Sequence, residues 1–157
     1  MTAANIYDFE LETIDGQPKA LSEYEGSVLL LVNVASACGF TPQYTGLQKL
    51  HDEYASRGLV VLGIPANEFG AQEPGSNEEI QNFCTTRFHV TFPMFAKIVV
   101  KGAGQHPLYQ WLTEQKGAVT WNFNKFLVDR QGHLIERFES KVAPESAELR
   151  SAIERIL

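Results

Sequence analysis

The sequence predicts an α/β domain: a central mixed sheet flanked by helices. Apolar, strand-sized runs alternate with amphipathic helical stretches along the chain. Two of those runs, residues 28–35 and 59–64, are apolar on both faces, as strands in the middle of a covered sheet are. The last two runs are separated only by Asp129-Arg130-Gln131-Gly132, a hairpin signal. A length of 157 residues suits one domain, spanning 1–157, with enough chain to bury a core without disulfides or metal.

Each element has its own warrant. Ile6 to Thr13 reads as an opening strand ended by the Asp15-Gly16 turn. After the strand at 28–35, Thr41-Pro42 supplies a capping hydroxyl followed by proline at the first helical position. Tyr44, Leu47, Leu50, His51 and Tyr54 then recur at helical spacing up to Arg57-Gly58, and Leu59 to Ile64 follows as a second strand. That is a βαβ unit, so its strands should run parallel. A polar loop covers 65–75, and Ser76-Asn77-Glu78-Glu79 is a capping box opening a helix with Ile80, Phe83, Cys84 and Phe88. Phe92 to Val100 should contain a further strand and Pro107 to Gln115 a helix. Phe123–Val128 and His133–Phe138 form the hairpin, and Pro144–Leu157 closes the chain as a helix with Leu149, Ile153 and Ile156 inward. Parallel strands followed by an antiparallel hairpin and a last helix describe a thioredoxin-like sheet.

Composition narrows the function. Thirteen Lys+Arg against nineteen Asp+Glu give a net charge of −6 without any basic run, a surface that repels a phosphate backbone and argues against nucleic acid. No apolar run approaches the ~20 residues of a membrane helix. Met1–Tyr7 has neither a basic start nor an apolar core, so no secretory leader is expected and the cytoplasm is the expected compartment. Two cysteines are too few for a disulfide framework, and a chain of this kind uses them for catalysis, for redox or in the core. His51, His89, His106 and His133 show no ligand spacing and there is no CxxC, so neither a metal nor a cofactor is expected.

Cys38 follows the carboxyl end of a central strand and precedes a helix N-terminus, where ligands bind in open α/β sheets and a thiolate is favoured. The alternative is a small buried hydrophobe. Cys84 lies on the apolar stripe of its helix and reads first as a core residue. A buried, helical Cys84 cannot bridge to Cys38 without movement, because a disulfide needs Cα atoms within ~7 Å. Gln72 lies in the loop leaving the same sheet edge as Cys38, and Trp121-Asn122 precedes the hairpin. An indole N–H and two amides are neutral donors suited to surround a thiolate; singly, each also reads as a core aromatic or a turn residue.

Taken together the chain resembles the glutathione peroxidases over nearly its whole length. The motifs that carry the resemblance are Asn33-Val34-Ala35-Ser36-Ala37-Cys38-Gly39-Phe40-Thr41, Gly70-Ala71-Gln72-Glu73-Pro74-Gly75 and Trp121-Asn122-Phe123-Asn124-Lys125-Phe126-Leu127. The resemblance implies a thioredoxin-like fold, peroxide reduction and a catalytic tetrad of Cys38, Gln72, Trp121 and Asn122. Cys84 stands where the cysteine-type, thioredoxin-dependent members carry their resolving cysteine, which implies a redox-active Cys38–Cys84 disulfide. Gly39 to Gln48 contains no lysine or arginine to grip glutathione, so thioredoxin is the expected reductant and glutathione the alternative. The short segment between Leu112 and Trp121 lacks the insertion of tetrameric members, which implies a monomer. Departures are Ala66, where the family usually has cysteine, Glu68, where it has glutamine, and cysteine itself at 38 in place of selenocysteine. An acid at 68 facing the site would raise the Cys38 pKa by repulsion. A peroxide sensor relaying oxidation through the same cysteines, or an inactive binding module, are the readings from other classes.

Overall fold

The structure, a computed structural model, describes residues 5–157, and Met1–Ala4, on which part of the leader reading rests, lie outside the described residues. The chain opens with a 3-10 turn at Ile6–Asp8 where a strand was expected. Asn5 causes the difference: its side chain accepts the Tyr7 N–H at 2.9 Å and offers the backbone an alternative to a sheet ladder. The strand shrinks to Glu10–Glu12 (β1), paired antiparallel with Pro18–Ala20 (β2).

The main sheet is built from Val28–Val34 (β3), Leu59–Pro65 (β4), Lys125–Val128 (β5) and Leu134–Phe138 (β6), in the order β4-β3-β5-β6. β3 and β4 run parallel, Val28 opposite Leu59 and Val34 opposite Pro65, while β5 is antiparallel to β3 and to β6. Helices Gln43–Tyr54 (α1), Asn77–Phe88 (α2), Pro107–Lys116 (α3) and Ala147–Ile156 (α4) complete the fold. All seven residues of β3 are buried, and their alternation divides the interior in two. Val28, Leu30, Val32 and Val34 pack with Leu47 and Leu50 of α1, Cys84 of α2 and Ile153 of α4. Leu29 and Leu31 face the other way, toward Leu108, Tyr109 and Leu112 of α3. The expected mixed sheet with helices on both faces is therefore present. No helix among the described residues is long and apolar enough to cross a membrane.

Two further expectations are corrected. The segment 92–100 forms only isolated bridges, Gly63 with Met94 and Thr13 with Phe95, instead of a strand. Pro93 has no N–H to give to a ladder, and the segment instead spans two elements: Phe95 N–H donates to Gly63 O of β4 and Ala96 N–H to Glu12 O of β1. Gly63 allows that approach, since a Cβ there would lie 2.4 Å from Met94 Sδ. Thr41 does not cap α1; the helix begins after Pro42 with no side-chain cap, because the Thr41 hydroxyl is engaged in the Cys38 loop.

Candidate active site

β3 and β4 end side by side, so the loops that follow them start from one sheet edge. In the first, Thr41 acts as a buckle: its hydroxyl donates to Ala35 O (2.8 Å) and accepts the Cys38 N–H (2.9 Å), and its own N–H returns to Cys38 O (3.0 Å). The loop is thereby folded so that the Phe40 N–H points at Cys38 Sγ, 3.3 Å away. Cys38 is buried, with 7% of its surface exposed.

The second loop brings Gln72 to the first. Ala37 N–H donates to Gln72 O at 3.0 Å, tying the residue before the thiol to the glutamine backbone. Ahead of Gln72 the chain turns through two left-handed residues, Gly70 (φ 69°) and Ala71 (φ 51°). A Cβ on Gly70 would sit 3.1 Å from the Trp121 ring, so glycine meets both a conformational and a steric need there. The Gln72 side chain accepts from Asn122 Nδ2 at 3.0 Å; the same amide nitrogen reaches Phe69 O at 3.3 Å. Asn122 is fully buried and its Oδ1 has no hydrogen-bond partner among the described residues. Trp121 is half-buried, its ring 5.8 Å from that of Phe69. The structure thus gathers Gln72, Trp121 and Asn122 into one cluster and joins it to the Cys38 loop through the backbone.

Cys84 lies in α2, buried and unbonded, in the same apolar core as Cys38. Burial pushes its thiol up to about 11, opposed by the hydrogen bond of the neighbouring Tyr44 hydroxyl and aided, to a smaller extent, by the buried carboxylate of Glu73. That hydroxyl has no nitrogen or oxygen partner among the described residues. Glu73 itself accepts the Ser36 N–H (3.0 Å), and burial shifts its carboxyl upward. A cavity of about 310 Å³, lined by Ser36, Ala37, Glu73, Ile80 and Phe83 among others, separates the Cys38 loop from the start of α2. Glu68 does not face the thiol: it is exposed and accepts the Val100 N–H at 2.6 Å.

Sequence reasoning missed the support beneath this cluster. Asn33 Nδ2 donates to Trp121 O (2.9 Å), Ser140 Oγ to Asn122 O (2.5 Å) and Lys125 Nζ to Phe123 O (2.8 Å). Asn33 sits in a strand that read as apolar on both faces, and Lys125 in an arm of the expected hairpin. A polar residue inside such a run was the available signal.

Comparison with known proteins agrees with the geometry. The family description "Glutathione peroxidase" matches residues 6–113. The hydroperoxy fatty acid reductase gpx1 of Synechocystis sp. is 50% identical, the alignment covering 97% of this chain and 95% of the relative. Among solved structures, Trgpx in its apo form superposes with a TM-score of 0.80 at 36% identity, covering 98% of this chain and 96% of the other. A thioredoxin family protein of Chlorobium tepidum TLS, a thiol:disulfide interchange protein, gives a TM-score of 0.71 at 19% identity, covering 99% and 95%, and so shares the fold alone. With a thioredoxin-like fold and a match that runs through both the Cys38 and the Gln72 loops, this chain belongs to the glutathione peroxidase family of peroxide-reducing enzymes.

Proposed function

We propose that the chain reduces hydrogen peroxide and organic hydroperoxides through a two-cysteine cycle recycled by thioredoxin. The observation that carries this reading is the placement of Cys38 Sγ as acceptor of the Phe40 N–H in a loop bonded to the backbone of Gln72, whose side chain pairs with the Asn122 amide. Cys38 thiolate attacks one peroxide oxygen; an S–O bond forms, the O–O bond breaks, and the departing hydroxide or alkoxide takes up a proton from water. The Gln72 and Asn122 amides and the Trp121 indole orient the peroxide and stabilise charge on sulfur and on the leaving oxygen, without metal or histidine. Since the Gln72 oxygen is turned to Asn122, its NH2 is the end that serves the peroxide. Organic hydroperoxides are included because the Synechocystis relative is named for a hydroperoxy fatty acid.

Cys84 then attacks Cys38 Sγ; the S–S bond forms, the S–O bond breaks, and hydroxide leaves with the Cys84 proton as water. Cys84 has to leave its buried place first. Its helix is suited to that: Ile80 and Cys84 are the residues of α2 that are fully buried, and a segment with so few buried contacts opens at low cost. Thioredoxin dithiol reduces the disulfide by exchange.

The test is peroxide consumption with thioredoxin by the wild type, Cys38→Ser and Cys84→Ser. Cys38→Ser should lose all activity. Cys84→Ser should complete one turnover and lose thioredoxin-driven cycling. Full cycling of Cys84→Ser with thioredoxin would remove Cys84 from the mechanism, and cycling with glutathione alone would make glutathione the reductant.

A further inference from the structure

Lys125 opens β5 and is fully buried, and burial alone lowers its pKa: no carboxylate among the described residues compensates the charge. An ammonium has three N–H groups and no acceptor, and each finds an oxygen on a different piece of chain. Nζ donates to Gln43 Oε1 at the start of α1 (2.7 Å), to Phe123 O (2.8 Å) and to Ser140 O beyond β6 (3.3 Å). Phe123 is left-handed, with φ 64°, and its N–H is held by Asn33 O at 2.6 Å. Three consecutive carbonyls, those of Trp121, Asn122 and Phe123, are each held by a buried side chain: Asn33, Ser140 and Lys125. Lys125 is the one of the three that also reaches α1, the helix that follows Cys38.

A buried, unpaired cation is costly, and an apolar chain of the same length would fill the space more cheaply. Stability alone therefore does not account for it. We propose that Lys125 is a positioning residue for peroxide reduction, its ammonium pinning the Trp121–Phe123 turn to α1 so that the Asn122 amide and Trp121 indole keep their register against the Cys38 loop. The proposal rests on the reading that those two side chains act on the peroxide. Burial pulls the Lys125 pKa down to about 7, a measure of the desolvation that the fold tolerates to keep an amine at this point.

The experiment compares two reactions of the same thiol in full-length protein. Oxidation by hydrogen peroxide uses the surrounding amides, whereas alkylation by iodoacetamide uses only the thiolate. Rates of both at Cys38, with thermal unfolding, are measured for wild type, Lys125→Met, Gln43→Ala and Asn122→Ala. Lys125→Met should slow oxidation about tenfold or more, since small misplacements at a reacting centre are expensive, while alkylation stays within about twofold and unfolding remains cooperative. Unchanged oxidation in folded Lys125→Met overturns the proposal, as does a parallel fall in both rates, which would place the lysine's effect on the thiolate itself. If Lys125→Met does not fold, Gln43→Ala decides: slowed oxidation with unchanged alkylation supports the clamp, and unchanged oxidation refutes it. Asn122→Ala separates the two readings. Unchanged oxidation there overturns the amide reading and the clamp together; slowed oxidation there with unchanged Lys125→Met overturns the clamp alone.

Discussion

Asn122 Nδ2 lies 3.0 Å from Gln72 Oε1, a hydrogen bond between residues fifty positions apart that joins the loop after β4 to the turn before β5. Because the Gln72 backbone carbonyl accepts the Ala37 N–H, the pair is coupled to the segment that carries the thiol. Asn122→Ala removes the donor that fixes the Gln72 amide. Oxidation of Cys38 should slow by about 10²-fold, the scale seen when one preorganised donor is lost, and stopped-flow kinetics with hydrogen peroxide measures it.

The Thr41 hydroxyl holds both Ala35 O and the Cys38 N–H. Thr41→Val keeps the shape and leaves those two groups unsatisfied. Stability should fall by about 1–3 kcal/mol in urea unfolding, and peroxide oxidation should slow with it, whereas loss of a helix cap alone would leave the oxidation rate unchanged.

Gly70 combines a left-handed backbone with close approach to Trp121. Gly70→Ala should destabilise by about 1–2 kcal/mol from the conformational term, and displacement of the indole should show as altered tryptophan fluorescence.

With its thiol held at about 11, seated Cys84 is overwhelmingly protonated at neutral pH. In Cys38→Ser its alkylation by iodoacetamide should be slower than that of an unfolded cysteine peptide at pH 8. The difference should vanish in urea. Fast alkylation of the folded variant at pH 8 would show that α2 does not shield the thiol.

Lys125 supplies a pH signature. Its folded pKa of about 7 lies below the ordinary 10.5, so between those values the unfolded chain binds more protons than the folded one. Stability contributed by this group therefore rises as pH climbs from about 7 to about 10.5 and is flat below about 7. Subtracting the Lys125→Met profile from that of the wild type in urea unfolding should isolate that rise; a difference independent of pH would contradict it.

Much of this was legible in the residues. Two doubly apolar runs placed β3 and β4 side by side, and that pairing alone brings the loops of Cys38 and Gln72 to one edge. The capping box at Ser76 and Glu79 is present as read. The local rules failed where other partners claimed the same groups. Thr41 resembles a cap, but the Ala35 and Cys38 backbone groups claim its hydroxyl. Residues 92–100 have strand composition, but Pro93 and the gap opened by Gly63 turn them into a bridge between β4 and β1. Lys125 appeared in the sequence only as part of the Trp121–Leu127 motif, and only the three carbonyl-type oxygens converging from Gln43, Phe123 and Ser140 make its burial intelligible.

The two-cysteine cycle is tested most directly by the mass of the reduced protein after one equivalent of hydrogen peroxide, with a thiol-blocking quench and peptide mapping. The cycle predicts a product lighter by about 2 Da, with Cys38 joined to Cys84. A product heavier by about 16 Da, with sulfenic acid persisting on Cys38 and Cys84 still free, would contradict it.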